Sequence, residues 1–210
     1  PKKGKIRLGS FEKDPARWVF MPANSRKSRQ LLVDRIARIK KEVNTFPYNL
    51  LKLSDNAKLG IISSGISYSY TLEALKWLGL EDKVSLLKIG TPYPLPEKLT
   101  KKLLNSVSEV LVIEELEPFV ENHVKVIAQE DDIRVKIHGK DFVPLIGELS
   151  TRQVVEAINK MTNSKPPVDF GALDKLREET ASLLPIRPPA LCPGCPHRAS
   201  YYVINAASRR

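Results

Sequence analysis

Cysteine is nearly missing from this chain, with two in 210 residues, Cys192 and Cys195. That scarcity excludes a secreted scaffold stapled by disulfides. Long apolar runs are missing too. No stretch reaches the roughly 20 residues of a membrane-spanning helix, and no apolar segment follows the basic residues 1–7 as a signal peptide requires. The expectation is a soluble, cytoplasmic protein that does not engage a membrane. Three Gln and two Met, beside abundant Lys and Ile, lean towards a thermophilic source. Internal repeats and low-complexity tracts are absent as well.

What is present is a globular composition, 42% hydrophobic and 28% charged, with a net charge of +10. Such a charge invites a nucleic-acid reading. The cations are scattered, however, as at Lys40-Lys41, Lys101-Lys102 and Arg26 with Arg29, and no aromatic stripe runs between them. A solvated basic surface, or one docked on acidic neighbouring domains, accounts for them, so no nucleic-acid partner is expected.

Four segments follow from local patterns. Residues 1–47 carry Trp18-Val19-Phe20-Met21-Pro22 and then a helix, with Asn24 expected as its N-cap and Leu32, Ile36, Ile39 and Val43 on one face. Arg35, Arg38 and Lys41 lie opposite, and Thr45-Phe46-Pro47 stops it, because the residue before proline avoids helical geometry. This connecting helix should lie on a neighbouring domain. Residues 48–162 read as an α/β domain, with apolar runs at 59–64, 84–90, 109–115 and 133–137 separated by helical patterns. Gly79 is the expected C-cap of the first helix, Pro96 and Pro118 open the next two, and Ser150 or Thr151 caps the last. Alternating strands and helices predict a three-layer α/β/α domain with a mainly parallel sheet. An antiparallel edge strand at 48–53 and an edge position for the alternating 133–137 complete it. Residues 163–189 form a proline-rich linker with a short helix at 171–184, stiff rather than flexible. Residues 190–210 open with Cys192-Pro193-Gly194-Cys195-Pro196-His197-Arg198 and read as the truncated start of another domain. The chain is therefore expected to be a piece of a longer polypeptide.

Three places could carry chemistry. Ser63-Ser64-Gly65-Ile66-Ser67 ends the first parallel strand and opens a helix, where backbone N–H groups hold anions. The plainer reading is a tight turn with hydroxyl caps. Glu114 and Glu115 end the third strand. Adjacent strand residues point to opposite faces, so helix capping or interface ion pairs are expected rather than paired acid–base work. His123 and His138 have no ligand motif around them and read as ordinary histidines.

The Cys192/Cys195 pair supports competing chemistries. A thioredoxin-like pair should follow a strand, whereas this one follows a proline-rich linker. Zinc needs a second ligand pair. An iron–sulfur site completed by cysteines elsewhere suits thiolates at this spacing. Cysteines that merely pack remain the plain alternative.

The run Pro188-Pro189-Ala190-Leu191-Cys192-Pro193-Gly194-Cys195-Pro196-His197-Arg198-Ala199-Ser200 closely resembles the alpha subunits of indolepyruvate ferredoxin oxidoreductases, within the thiamine-diphosphate-dependent 2-oxoacid:ferredoxin oxidoreductases. Gly60-Ile61-Ile62-Ser63-Ser64-Gly65-Ile66-Ser67-Tyr68, Val112-Ile113-Glu114-Glu115-Leu116-Glu117-Pro118 and Asp14-Pro15-Ala16-Arg17-Trp18-Val19 resemble them too. The resemblance implies a middle section of that subunit. Residues 1–47 would be the tail of the pyrimidine-binding domain, 48–162 a transketolase C-terminal-like domain, and 190–210 the start of the thiamine diphosphate-binding domain. It implies Cys192 and Cys195 as iron–sulfur ligands, with Pro196-His197-Arg198 standing where related enzymes have glycine. The catalytic glutamate, the acidic metal-binding motif and the ferredoxin-like cluster region have no counterpart here, so no catalytic residue is expected in this chain. The implied reaction is oxidative decarboxylation of an arylpyruvate, with coenzyme A taking the acyl group and ferredoxin the electrons. Thiamine diphosphate, magnesium and iron–sulfur clusters would serve the complete enzyme beside a small beta subunit. A basic CxxC-H metal knuckle that binds nucleic acid is the alternative, and a non-catalytic scaffold describes what this segment alone would be.

Overall fold

The computed structural model describes residues 9–186 and 190–209. The basic start at 1–7 and the Arg187-Pro188-Pro189 end of the linker lie outside them. Two compact units emerge, Pro1–Pro167 and Val168–Arg210.

The first unit opens with α1 (Pro15–Trp18) and α2 (Pro22–Glu42), followed by a 3₁₀ turn at Val43–Thr45. Then come β1 (Leu50–Lys52), β2 (Leu59–Ser64), α3 (Ile66–Leu78), β3 (Ser85–Ile89), α4 (Glu97–Leu104), β4 (Glu109–Ile113), α5 (Phe119–Glu130), β5 (Lys136–His138) and α6 (Thr151–Thr162).

The long helix starts earlier than expected. Pro22 takes its first position, where a missing N–H costs nothing. Asn24 falls within the first turn and donates from Nδ2 to the carbonyl of Val19 at 3.0 Å instead of capping. Of the expected apolar face, Val43 is buried, Ile36 and Ile39 are half-buried and Leu32 is exposed. The foot of the helix is pinned to the α/β domain: Lys40 pairs with Glu97 at 2.5 Å, and Asn44 Oδ1 accepts from the Lys98 N–H at 2.8 Å.

The sheet runs β1-β3-β2-β4-β5. β2 pairs in parallel with both β3 and β4, β5 adds in parallel to β4, and β1 closes the other edge antiparallel to β3. Ile62, Leu87, Ile89, Val110 and Val112 share one face with Leu103 and Leu104 of α4 and Val120, Val124 and Ile127 of α5. Their neighbours along each strand, such as Ile61, Leu111 and Ile113, face the other way, where α3 packs on α6 with Ala74, Leu75, Val155 and Ile158 buried. The result is the expected three-layer α/β/α arrangement.

Several local details follow chemistry visible in the chain. Gly79, at φ +64°, ends α3 with its N–H on the Leu75 and Lys76 carbonyls. Ser150 caps α6 by accepting from the Gln153 N–H. Pro96 and Pro118 sit one position before their helices rather than inside them. β5 begins at Lys136, later than the expected 133. The Ile133 N–H is still spent on the Ala128 carbonyl at the end of α5, so pairing with β4 starts only once that turn has closed.

The second unit contains α7 (Phe170–Ala181), capped by Asp169 Oδ1 accepting from the Ala172 N–H at 3.0 Å, and α8 (Pro196–Ser208). Neither helix carries a buried residue.

Candidate functional site

Cys192 and Cys195 bracket a tight turn. Pro193 follows Cys192, Gly194 has φ +76°, and the Cys195 N–H donates to the Cys192 carbonyl at 3.1 Å. Proline first and a left-handed glycine second is the requirement of a type II turn, so this Pro-Gly pair sets the relation between the two cysteines. Cys195 is also the N-cap residue of α8, and Pro196 occupies that helix's first position. Both thiols are free, Cys192 exposed and Cys195 half-buried. His197 Nδ1 lies 3.4 Å from the Cys195 sulfur. Two soft donors on one turn, beside the positive end of a helix, suit part of a thiolate ligand set for a soft or iron–sulfur centre. Among the described residues, no group of three or more His, Cys, Asp or Glu side chains is arranged to hold a metal ion.

The carboxyl edge of the sheet gathers most of the buried charge. Glu114, just past β4, is 6% exposed, and its two oxygens accept from the Val120 and Glu121 N–H groups, each at 2.8 Å. It caps α5, whose N-terminal amides lack partners within the helix. Glu115 points the other way and accepts from the Leu149 N–H at 2.9 Å, ahead of α6. Glu114 thus has the expected capping role, while Glu115 ties down the loop ahead of the α6 cap Ser150.

A network that sequence reasoning missed sits beside it. Glu121, also buried, accepts from Lys125 Nζ at 2.5 Å and from the Lys140 N–H at 3.0 Å. Gly139 leaves the necessary room, since a Cβ there would stand 2.0 Å from Glu121 Oε2. Lys140 Nζ donates to the Glu114 carbonyl and reaches the Pro144 carbonyl at 3.4 Å. Burial lowers the pKa of that ammonium, and the carboxylates of Glu114 and Glu121 only partly oppose the effect. His138 is not the ordinary histidine expected. It is 7% exposed, its Nδ1 lies 2.5 Å from Asp141 Oδ2, and the Phe142 ring packs edge-on at 4.7 Å. Burial raises the Asp141 pKa, but hydrogen bonds from His138 and the Gly139 N–H outweigh that and hold it below the usual carboxylate range. The i,i+3 spacing of His138 and Asp141 was the available signal. His123 is half-buried and keeps a local role, with Nδ1 2.7 Å from the Phe119 carbonyl.

On the opposite face of the edge lies the Ser63–Ser67 loop. Gly65 has φ +55° and ψ −136°, a conformation glycine tolerates, and it leads from β2 into α3. Ser67 is buried, and Thr71 Oγ1 donates to its carbonyl at 2.7 Å. Among the described residues, the buried Ser63 hydroxyl has no hydrogen-bond partner. Lys88 extends to the Tyr68 ring, with Nζ 5.1 Å from the centroid.

Comparison with known proteins identifies the group. The sequence pattern described as "Indolepyruvate ferredoxin oxidoreductase middle domain" matches residues 48–151. The "Indolepyruvate oxidoreductase subunit IorA" of Thermococcus kodakarensis is 45% identical over 99% of this chain, and that of Pyrococcus horikoshii 43% over the same share. The chain belongs to the indolepyruvate ferredoxin oxidoreductase family. It spans about a third of the length of these curated relatives, 32% of each. Among solved structures, a split-gene transketolase overlays 55% of this chain and 42% of its own at TM-score 0.42 and 21% identity. A 2-oxoglutarate:ferredoxin oxidoreductase from Magnetococcus marinus overlays 67% of this chain and 24% of its own at TM-score 0.46 and 17% identity. Nothing in these comparisons supports the nucleic-acid alternative. Among the described residues, no helix is long and apolar enough to cross a membrane.

Proposed function

We propose that this chain is a middle section of the large subunit of a thiamine-diphosphate-dependent arylpyruvate:ferredoxin oxidoreductase, and that its α/β domain is a scaffold. The observation that carries the proposal is the 45% identity to an IorA subunit over 99% of this chain. In the complete enzyme, a 2-oxoacid of the indolepyruvate type loses carbon dioxide, coenzyme A takes the acyl group and ferredoxin takes two electrons. A small beta subunit is the expected partner, and cytoplasmic location and a thermophilic source belong to the same reading. The division into 1–47, 48–162, 163–189 and 190–210 goes with it.

Within this reading Cys192 and Cys195 contribute two thiolates to an iron–sulfur cluster, whose chemistry when bound is one-electron transfer. Their fit rests on two free thiols held on one type II turn. The turn orients the donors, and His197, 3.4 Å from the Cys195 sulfur, provides a neighbouring hydrogen-bonding group. Thiamine diphosphate and magnesium are assigned to parts of the enzyme outside this sequence, where the family's acidic motif would lie.

The test is turnover. The 210-residue chain alone should not reduce a ferredoxin-type acceptor with indolepyruvate and coenzyme A, whereas the complete subunit pair should. Acceptor reduction by the pure chain above background would overturn the scaffold assignment. Failure of the complete pair with every arylpyruvate would overturn the substrate class.

A further inference from the structure

The carboxyl edge of β2 and β3 holds an arrangement that the scaffold reading does not use. Ser63 and Lys88 are partners in the parallel β2–β3 register. Their strand neighbours Ile62 and Leu87 both belong to the cluster on the α4–α5 face. Ser63 and Lys88 therefore leave the sheet side by side on the other face, beneath α3. The ammonium of Lys88 lies over the ring of Tyr68, the third residue of α3, which places that cation at the helix's first turn.

Three features converge there. The Ile66 and Ser67 N–H groups that open α3 have no acceptor within the helix and carry its positive end, while the Tyr68 N–H is held by the Gly65 carbonyl at 3.3 Å. Lys88 adds a half-buried cation. Ser63, 1% exposed, adds a hydroxyl that no group among the described residues satisfies, and a buried polar atom in a native fold ordinarily has a partner. Gly65 keeps the approach open, since a Cβ there would meet no atom within 4 Å. Two carboxylates of the α3–α6 side are engaged elsewhere: Glu115 accepts from the Leu149 N–H and Glu73 from the Thr151 hydroxyl. The β2–α3 loop also borders the switch point of the sheet, which lies between β2 and β4, one strand over from Lys88, where the connections leave over opposite faces. In open α/β sheets ligands favour that position.

We propose that Ser63, Lys88 and the N-terminal amides of α3 form a binding site for a phosphate-sized anion, either free or as the phosphoryl group of a larger molecule. Lys88 supplies the charge, the α3 amides the directional donors, and the Ser63 hydroxyl the innermost contact. The site is independent of the oxidoreductase reading and of the cysteine turn.

The experiment uses the 210-residue chain, labelled with nitrogen-15, and titrates it with inorganic phosphate, with ADP and with adenosine at matched ionic strength. Phosphate should move the Gly65, Ile66, Ser67 and Tyr68 amide signals with half-saturation on the order of 1 mM, as one charge-assisted contact set provides. Equal affinity for phosphate and ADP would mark a free anion as the ligand, and tighter ADP binding a phosphoryl group on an organic carrier. Lys88→Met should weaken binding at least about tenfold. Ser63→Ala should weaken it severalfold while leaving the thermal midpoint unchanged or raised, because the hydroxyl has no partner to lose. Static Gly65–Tyr68 amides throughout the phosphate titration would overturn the proposal. So would a response to adenosine alone, or parental binding in either variant.

Discussion

The sheet domain and the cysteine-bearing unit use apolar residues in opposite ways. In the first, Ile61, Ile62, Leu87, Leu103, Leu111 and Ile113 are all less than 2% exposed, closed between two helical layers. In the second, Tyr201, Tyr202, Val203 and Ile204 are consecutive and all more than 60% exposed on α8, and Leu183, Leu184 and Ile186 are exposed as well. Helices in water draw most of their stability from a packed face. The sheet domain is therefore self-sufficient, while α8 depends on its own propensity. Under the proposed function, scaffold and redox chemistry divide along the same line: the sheet domain is the scaffold, and the cysteine turn belongs to a unit whose two helices bury none of their residues.

Deleting core volume should separate the two units most visibly. Leu103→Ala should cost about 3–4 kcal/mol in denaturant unfolding, whereas Tyr202→Ala should stay within about 0.5 kcal/mol of the parent. Equal losses would mean that the second unit has a buried core after all. A related contrast is expected in hydrogen exchange, with β2 and β4 amides protected up to global unfolding and α8 amides exchanging far faster.

Removing the capping carboxylate should have an intermediate effect. Glu114→Ala removes the acceptor for two α5 amides and should lower stability by about 2 kcal/mol. Glu114→Gln, which keeps one carbonyl acceptor, should recover part of it. An unaltered unfolding midpoint in Glu114→Ala would show that solvent replaces the cap.

The smallest effect concerns acid. Asp141 has a folded pKa held below its ordinary 3.8, so its contribution is complete above that value and lost as pH falls through the lower folded one. Asp141→Asn should lower the thermal midpoint slightly at neutral pH and flatten its decline in acid. A decline as steep as the parent's would remove Asp141 from the acid response.

How much of this was readable in the chain varies with range. Leu59 to Ser64 was recognisable as a buried strand because an unbroken apolar run between turn signals has few other uses, and Gly79 and Ser150 announced helix ends through local chemistry. The late start of β5 was hidden, since it depends on how long Ile133 remains tied to the end of α5. The meeting of Ser63 with Lys88 was hidden for a similar reason. It requires the β2–β3 register, which no local pattern specifies, although a lysine in the otherwise apolar Leu86-Leu87-Lys88-Ile89 was a hint. For the cysteines the type II turn was legible from Pro193-Gly194. The remaining ligands of a cluster were not, because they would come from residues outside this sequence.

The most direct test of the division between scaffold and redox chemistry is iron content. It would be measured on the complete subunit pair, parent against Cys192→Ser/Cys195→Ser, together with the unfolding midpoint of the 210-residue chain carrying the same substitutions. Iron per pair should fall by the content of one cluster while the midpoint of the sheet domain stays at the parental value. Full iron in the double variant would contradict it, leaving the two cysteines as packing residues of a turn.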